Sequence, residues 1–425
     1  MQDWAGWLLV LFSFSIVLMW KRIRSDTKVV YAIWFCMVFH HAVVLLNAYV
    51  CTVIGAEHDA SQCHSKGVLW AALPEPEWVY GSGQTIYIQF LGFFYRAFGA
   101  SLFFGGELSV LSFALSCVVL VKLVDLLELR HFRVGIVLFF GLLPSTVIYG
   151  SVTLREPWQA LFFLLCVYWA VRLRKQPNIL IVSFLIMSVF CLAHLHHGLA
   201  RYAVYFIVLS IYWGVFARKK GVRWARHARF LFAGLLGVCA FILAKKLGWF
   251  MTIGQVLEVA DGYRQAAASV DARTTYDVVL DMSSVLGCVY TIPMVLVHYM
   301  FAPFPWQVEN AKDIIALLEA MLRFVLLYFA FSSWRRSSGE VRSYYSFLLI
   351  AVLGMEFMWA LGTVNWGTAT RHHLPGSSVF VLLGAPGLIL FMRKIHFGIF
   401  GRGKASIFQD REKFVKPDPK TDEML

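Results

Sequence analysis

Apolar runs close to twenty residues long recur along this chain, and they decide most of what it can fold into. They fall at about 4–20, 29–54, 100–121, 134–150, 157–171, 178–194, 198–217, 230–248, 314–334, 343–362 and 377–392. An α-helix rises ~1.5 Å per residue, so about 20 residues cross the ~30 Å hydrocarbon core of a bilayer. Lipid offers backbone groups no hydrogen-bond partner, so a crossing segment must satisfy its own ladder as a helix. With 59% hydrophobic residues and a mean hydropathy of +0.67, a soluble domain is excluded. The pattern predicts an all-α, polytopic helical membrane protein with about eleven transmembrane helices.

A net charge of +13 would suit a polyanionic partner, but the cations are dealt out in short clusters between the apolar runs. Lys21/Arg22/Arg24/Lys28, Lys122/Arg130/Arg133, Arg172/Arg174/Lys175, Arg218 to Arg229, Arg335/Arg336/Arg342 and the tail from Arg393 alternate with connections poor in Lys and Arg. That is the positive-inside pattern, and it argues against nucleic acid as a partner. It places the N-terminus outside and the C-terminus in the cytoplasm. If the run 285–302 crossed the membrane, every later basic cluster would flip outward, so it is expected as a re-entrant or interfacial segment sheltered by protein. The domain reading is one integral membrane domain over 1–403 and a disordered cytoplasmic tail over 404–425. No CxxC pair occurs among the eight cysteines, and spacing leaves a Cys51–Cys63 disulfide open.

On this topology the unusual polar residues gather in a few outer segments. The first outer loop, 55–99, carries Glu57, His58 and Asp59, then a Pro/Glu/Trp-rich turn region, then an aromatic amphipathic stretch, Thr85–Phe98. That last stretch reads as a helix lying at the interface. Either Glu57 or Asp59 is a solvated surface group, a general base for an acceptor hydroxyl, or a metal ligand. Arg155 and Glu156 precede Pro157, where a proline at a helix start and a carboxylate near its dipole are favourable on structural grounds alone. Facing Asp59, Glu156 would supply a second carboxylate, able to hold a divalent cation (Mg or Mn) or to shape an acceptor site. His194, His196, His197 and Arg201 form a further group. Three His at that spacing do not share one helix face, so contacts to phosphate or sugar hydroxyls fit better than zinc. Arg371, His372 and His373 stand on a face otherwise poor in cations, and Arg371 is the candidate phosphate contact. The late outer loop, 249–284, with Glu258, Asp261, Tyr263, Arg264, Asp271, Arg273, Asp277 and Asp281, is expected as a lid. Pro303 to Gln307 offers an aromatic platform.

Three of these stretches resemble a known family. His58–Ala60 (HDA) opens an outer loop after a span, YGSGQTIYIQFLGFFYRAFG follows it, and Arg155-Glu156 opens a later outer-face helix. Together they are similar to the GT-C superfamily of membrane glycosyltransferases, which use polyprenyl-phosphate-linked sugars. The late PFPW and GTATRHHLP segments resemble GT-C-like and Wzy-type proteins of bacterial exopolysaccharide clusters. Where the family carries an Asp-Glu pair this chain has Glu57-His58-Asp59, and it has an extra N-terminal span.

The resemblance implies a periplasmic juxtamembrane helix and a multi-pass protein of the bacterial inner membrane, with its active site facing the periplasm. It also implies transfer or polymerisation of polyprenyl-(pyro)phosphate-linked glycans in surface polysaccharide assembly, alongside other assembly proteins. Asp59 would be the catalytic acid/base, with Glu57 and Glu156 as the other acidic candidates. Arg155, His196, His197, Arg201, Arg371 and His372 are the candidates for substrate contact. A lipid-linked oligosaccharide flippase or a membrane scaffold are the competing readings. A flippase would place ionisable residues inside spans, where Glu107, Asp125, Glu319 and Glu356 are the candidates.

Overall fold

The apolar runs fold as helices. The computed structural model describes residues 3–79, 81, 83–216, some residues between 245 and 281, and 285–400. The run 230–248, most of the late loop (including Asp261, Tyr263, Asp271 and Asp277) and the tail 404–425 lie outside the described residues. In order the helices are α1 (Trp4–Leu18), α2 (Lys21–Arg24), α3 (Thr27–Tyr49), α4 (His58–Ala72), α5 (Gln84–Phe98), α6 (Leu102–Leu126), α7 (Arg133–Gly141), α8 (Pro144–Tyr149), α9 (Glu156–Lys175), α10 (Ile179–His194), α11 (His197–Ile211), α12 (Val285–Phe301), α13 (Ala311–Arg336), α14 (Gly339–Gly362), α15 (Trp366–His372) and α16 (Leu374–Phe400). Among the described residues no strand forms, and a single isolated β-bridge joins Thr275 to Asn365.

Five of these helices are long and apolar enough to cross a membrane: α3, α6, α13, α14 and the first 22 residues of α16. Several others are apolar but shorter, including α1, α10 and the Val289–Phe301 part of α12. The run 134–150 is not one helix. It breaks at Leu143, which is extended, because Pro144 has no N–H to give and disfavours helix in the residue before it. The segment after Glu57, read as loop from sequence, starts with a 15-residue helix, α4. The 285–302 run forms one 17-residue helix with Pro293 inside it, packed on α14 and α13. Cys51 is exposed, Cys63 is buried, and both are free thiols.

The sorting of side chains is that of a protein whose solvent is hydrocarbon. Along α13 the exposed face is Ile314, Leu318, Met321, Phe324, Tyr328 and Phe331, while Glu319, Ala320, Arg323, Leu326, Leu327 and Ala330 are buried. Those steps of three and four residues trace one stripe, and it is the apolar stripe that faces out. In water each such side chain would forgo ~1.5–3 kcal/mol of burial. In lipid it forgoes nothing, and the charges are the groups that must hide.

Helix α6 occupies the centre, with 19 buried residues, flanked by α1, α3 and α9; α9 and α13 both pack on α16. With no hydrophobic drive between helices in lipid, close backbone approach carries the association. Gly384 of α16 sits where a Cβ would overlap the Leu326 carbonyl of α13. At one end of the bundle, ion pairs tie the basic turns together. Arg133 reaches Asp125 (2.6 Å) and Asp26 (3.1 Å), and buried Arg174 reaches Glu340 (3.0 Å) and lies over Trp213.

Replacing Gly384 by Ala lowers thermal stability in detergent by about 1–3 kcal/mol, the usual range for overpacking. Gly214→Ala, where a Cβ meets nothing within 4 Å, leaves the midpoint unchanged in the same melt.

Candidate functional site

At the bundle end opposite those basic turns, four segments far apart in sequence meet: the first turn of α4, the start of α9, the α10–α11 turn, and α14–α15. Helix α4 packs against α5 as a hairpin. Ala60, Cys63 and Gly67 face Tyr87, Leu91, Gly92 and Tyr95, and His64 Nδ1 shares a 2.7 Å hydrogen bond with the Tyr95 hydroxyl. The hairpin is pinned at its base by the Gly83 N–H, which donates to the His194 carbonyl (2.8 Å). Gly83 has φ +70°, and a Cβ there would press on the Arg155 guanidinium. Both features favour glycine.

Asp59 sits in the first turn of α4, where the helix dipole favours a carboxylate. Its Oδ2 accepts a hydrogen bond from Arg371 Nη1 at 2.5 Å, across the site. Burial raises the Asp59 pKa, but Arg371, with Arg155 and His58, outweighs it, so the carboxyl stays below its ordinary value and ionised. Burial works against the charge of Arg371 as well. Glu156 and Asp59 overcome it and hold the guanidinium firmly protonated. Arg371 thus acts on both carboxylates.

Glu156 opens α9 and is 3% exposed. Its Oε2 has no hydrogen-bond partner among the described residues, although Arg155 Nε stands 4.0 Å from Oε1. A buried, unpartnered carboxylate oxygen is costly unless something else uses it.

The two neutral rings of the site are His196 and His372. His196 caps α11, accepting from the Gly198 N–H at 3.0 Å. His372 shares a 2.9 Å hydrogen bond with the Thr363 hydroxyl. Trp359 lies between them, its ring 3.9 Å from His372 and 4.5 Å from His196, and its indole N–H has no partner among the described residues. Burial pushes both imidazoles well below 6.5, and nearby arginines add to it: Arg155 and Arg201 at His196, and Arg371 and Arg155 at His372. Near neutral pH both rings are uncharged and offer hydroxyl-binding nitrogens.

Of the residues singled out from sequence, Asp59, Arg155, Glu156, His196, Arg371 and His372 come together. Exposed His197 and half-buried Arg201 stand at the edge, acting on His196 by charge. Glu57 does not belong. It is exposed and pairs with Lys312 at 3.1 Å, outside the cluster, because it lies beyond the first turn that aims Asp59 inward. Of the late loop, residues 273–276 are bonded to the segment that leads into α15 and to α13. The Tyr276 N–H donates to the Val364 carbonyl (2.7 Å) and the Trp366 N–H to Thr274 (3.2 Å). Arg273 grips Asp313, which also accepts from the Trp366 indole. Residues 273–276 therefore strap the extended 363–366 segment that leads into α15. Trp359, Thr363 and Gly83 were not read from sequence; Trp359 sits in a plain apolar run and nothing local marks it.

Comparison with known proteins finds no match among family models, curated proteins or solved structures. Among the described residues no three His, Cys, Asp or Glu side chains gather in one place, and Asp59 is paired with Arg371.

The two depressed imidazoles set a direction for stability. Below pH 6.5 the unfolded chain takes up protons that His196 and His372 refuse in the fold, so stability present above 6.5 is lost as pH falls, by up to ~1.4 kcal/mol per pH unit per group. Thermal midpoints measured from pH 7.5 to 5.5 fall, and the double variant His196→Gln/His372→Gln falls less steeply.

Proposed function

We propose that this chain is a membrane glycosyltransferase of the GT-C type, or a repeat-unit polymerase, acting on a polyprenyl-(pyro)phosphate-linked sugar or oligosaccharide. The observation that carries this is the Arg371 guanidinium bound to Asp59 in the field of a second carboxylate, Glu156, whose buried Oε2 has no partner among the described residues, at one end of a lipid-sorted bundle. The cluster holds two fixed cations, Arg155 and Arg371, two carboxylates and two neutral imidazoles. That is a site for a neutral polyol joined to an anion.

In this reading the donor's phosphate takes the place of Asp59 on Arg371, which binds phosphate oxygens in a two-pronged fashion. The displaced Asp59 then accepts the proton of an acceptor hydroxyl. That oxygen attacks the anomeric carbon, the bond from that carbon to the phosphate oxygen breaks, and the departing phosphate's charge is met by Arg371 and Arg201. Glu156, His196, His372 and the Trp359 indole bind sugar hydroxyls. Helix α5 and the exposed Leu69, Leu73, Trp78 and Phe93 of the hairpin lie in the interface. About eleven spans, a re-entrant 285–302 segment, and a bacterial inner-membrane location with this site facing the periplasm complete the proposal. The basic end of the bundle would then be cytoplasmic.

A second reading, a flippase for the same lipid-linked glycan, is favoured by buried ionisable pairs inside helices: His41–Glu107, Arg323–Glu319 and His373–Glu356. They lie on the site's side of the bundle. Glu107, Glu319 and Glu356 are five, eight and six residues from their helix ends, or about 8, 12 and 9 Å deep. Each has a partner and leans toward the transferase site.

In cells that make the polysaccharide, Asp59→Asn, present in the membrane at normal level, abolishes long chains while lipid-linked repeat units accumulate on the outer leaflet, a loss on the scale of ~10²–10⁴ in rate. Accumulation on the inner leaflet selects the flippase. Normal polymer removes Asp59 from the mechanism.

A further inference from the structure

The end of the bundle opposite the candidate active site carries a cavity of about 330 Å³ lined by Arg22, Ser25, Arg130 and Arg133. Its three guanidiniums are not equivalent. Arg133 is oriented and charge-compensated by Asp125 and Asp26, whereas Arg22 and Arg130 are exposed and have no carboxylate partner among the described residues. The Ser25 hydroxyl donates to the Arg22 carbonyl at 3.2 Å, and by turning about its Cβ–Oγ bond it can give that proton to a ligand oxygen instead. One rigid arginine and two uncommitted ones match the several oxygens of a phosphate group, and guanidinium binds such oxygens in pairs.

The cavity's depth in the molecule says where that phosphate comes from. It lies where α1 ends at Leu18 and α3 begins at Thr27, the level at which the chain leaves hydrocarbon. Trp20, with Lys122 4.3 Å over its ring, marks the same level, as interfacial tryptophans do. The two helices leaving this level expose Leu11 on α1, with Met19 just past its end, and Tyr31 and Phe35 on α3, which are surfaces for acyl chains.

We propose that Arg22, Ser25, Arg130 and Arg133 form a binding site for the phosphate headgroup of an acidic phospholipid. The headgroup enters the cavity, Arg22 and Arg130 close on its oxygens, and the chains run along α1 and α3. By joining the α1–α3 turn to the α6–α7 turn, the lipid fastens two helix pairs that otherwise meet at this end through Arg133. The proposal does not depend on the glycosyltransferase reading.

The test uses the full chain in neutral detergent, with its thermal midpoint followed during titration with short-chain phosphatidylglycerol, short-chain phosphatidylcholine or inorganic phosphate. Two double variants remove equal charge: Arg22→Gln/Arg130→Gln inside the cavity, and Arg24→Gln/Lys28→Gln on the neighbouring surface. All four residues are exposed, so both variants keep the fold. Phosphatidylglycerol raises the midpoint saturably and phosphatidylcholine does not. The cavity variant needs about thirtyfold more lipid, since each basic residue at an anionic headgroup contributes a factor of about five, and the surface variant behaves as wild type. Equal loss in both variants, or no preference for phosphatidylglycerol, overturns the site. Inorganic phosphate matching phosphatidylglycerol at equal concentration overturns the lipid and leaves a free-anion site.

Discussion

A hydrocarbon solvent is the constraint from which the rest of this structure follows. It requires each crossing segment to close its own hydrogen bonds, turns the apolar stripe of α13 outward, and makes every charge inside the bundle expensive. Charged residues are therefore paired or pushed to the two ends. At one end they are arginines and lysines on short turns, held by Asp26, Asp125 and Glu340. At the other they are carboxylates, arginines and imidazoles brought in from four distant segments.

The second end is not merely a place where polar groups were left over. A structural ion pair at a helix end closes its own accounts, as Arg174 does with Glu340. Here Arg371 binds Asp59 and feels the charge of Glu156, and among the described residues Glu156 Oε2 and the Trp359 indole N–H have no partner. Unfulfilled buried groups beside neutral imidazoles are what the proposed site for sugar hydroxyls and a phosphate rests on. The strap from 273–276 to 364–366 and the anchoring of His373 by Glu356 (2.6 Å) and Tyr299 hold the turn that aims Arg371. This precision comes from outside the site itself.

Much of this was legible in the chain because its signals are periodic or electrostatic. Run length locates helices, and the alternation of cation clusters sorts their ends, which is why the sequence alone puts Asp59, Glu156, His196 and Arg371 on one side. What was hidden depended on tertiary neighbours. Glu57 and Asp59 look alike in sequence, and only the turn that starts at His58 sends one to Arg371 and the other to Lys312. Trp359 reads as one more apolar residue in a span until two histidines close on it. The break at Pro144 was readable and overridden by hydropathy. Helix α4 has small apolar residues at Ala60, Cys63 and Gly67, but its low overall hydrophobicity conceals that spacing.

The central claim is that Arg371 receives the phosphate of a lipid-linked glycan as a sugar bond breaks. The most direct measurement is release of polyprenyl phosphate or pyrophosphate by the purified full chain in nanodiscs, supplied with lipid-linked glycans extracted from the cells that make it. The account predicts release by the wild-type chain and its loss in Arg371→Gln, with the donor left intact. No release by the wild type with any extracted donor, or release undiminished in Arg371→Gln, contradicts it.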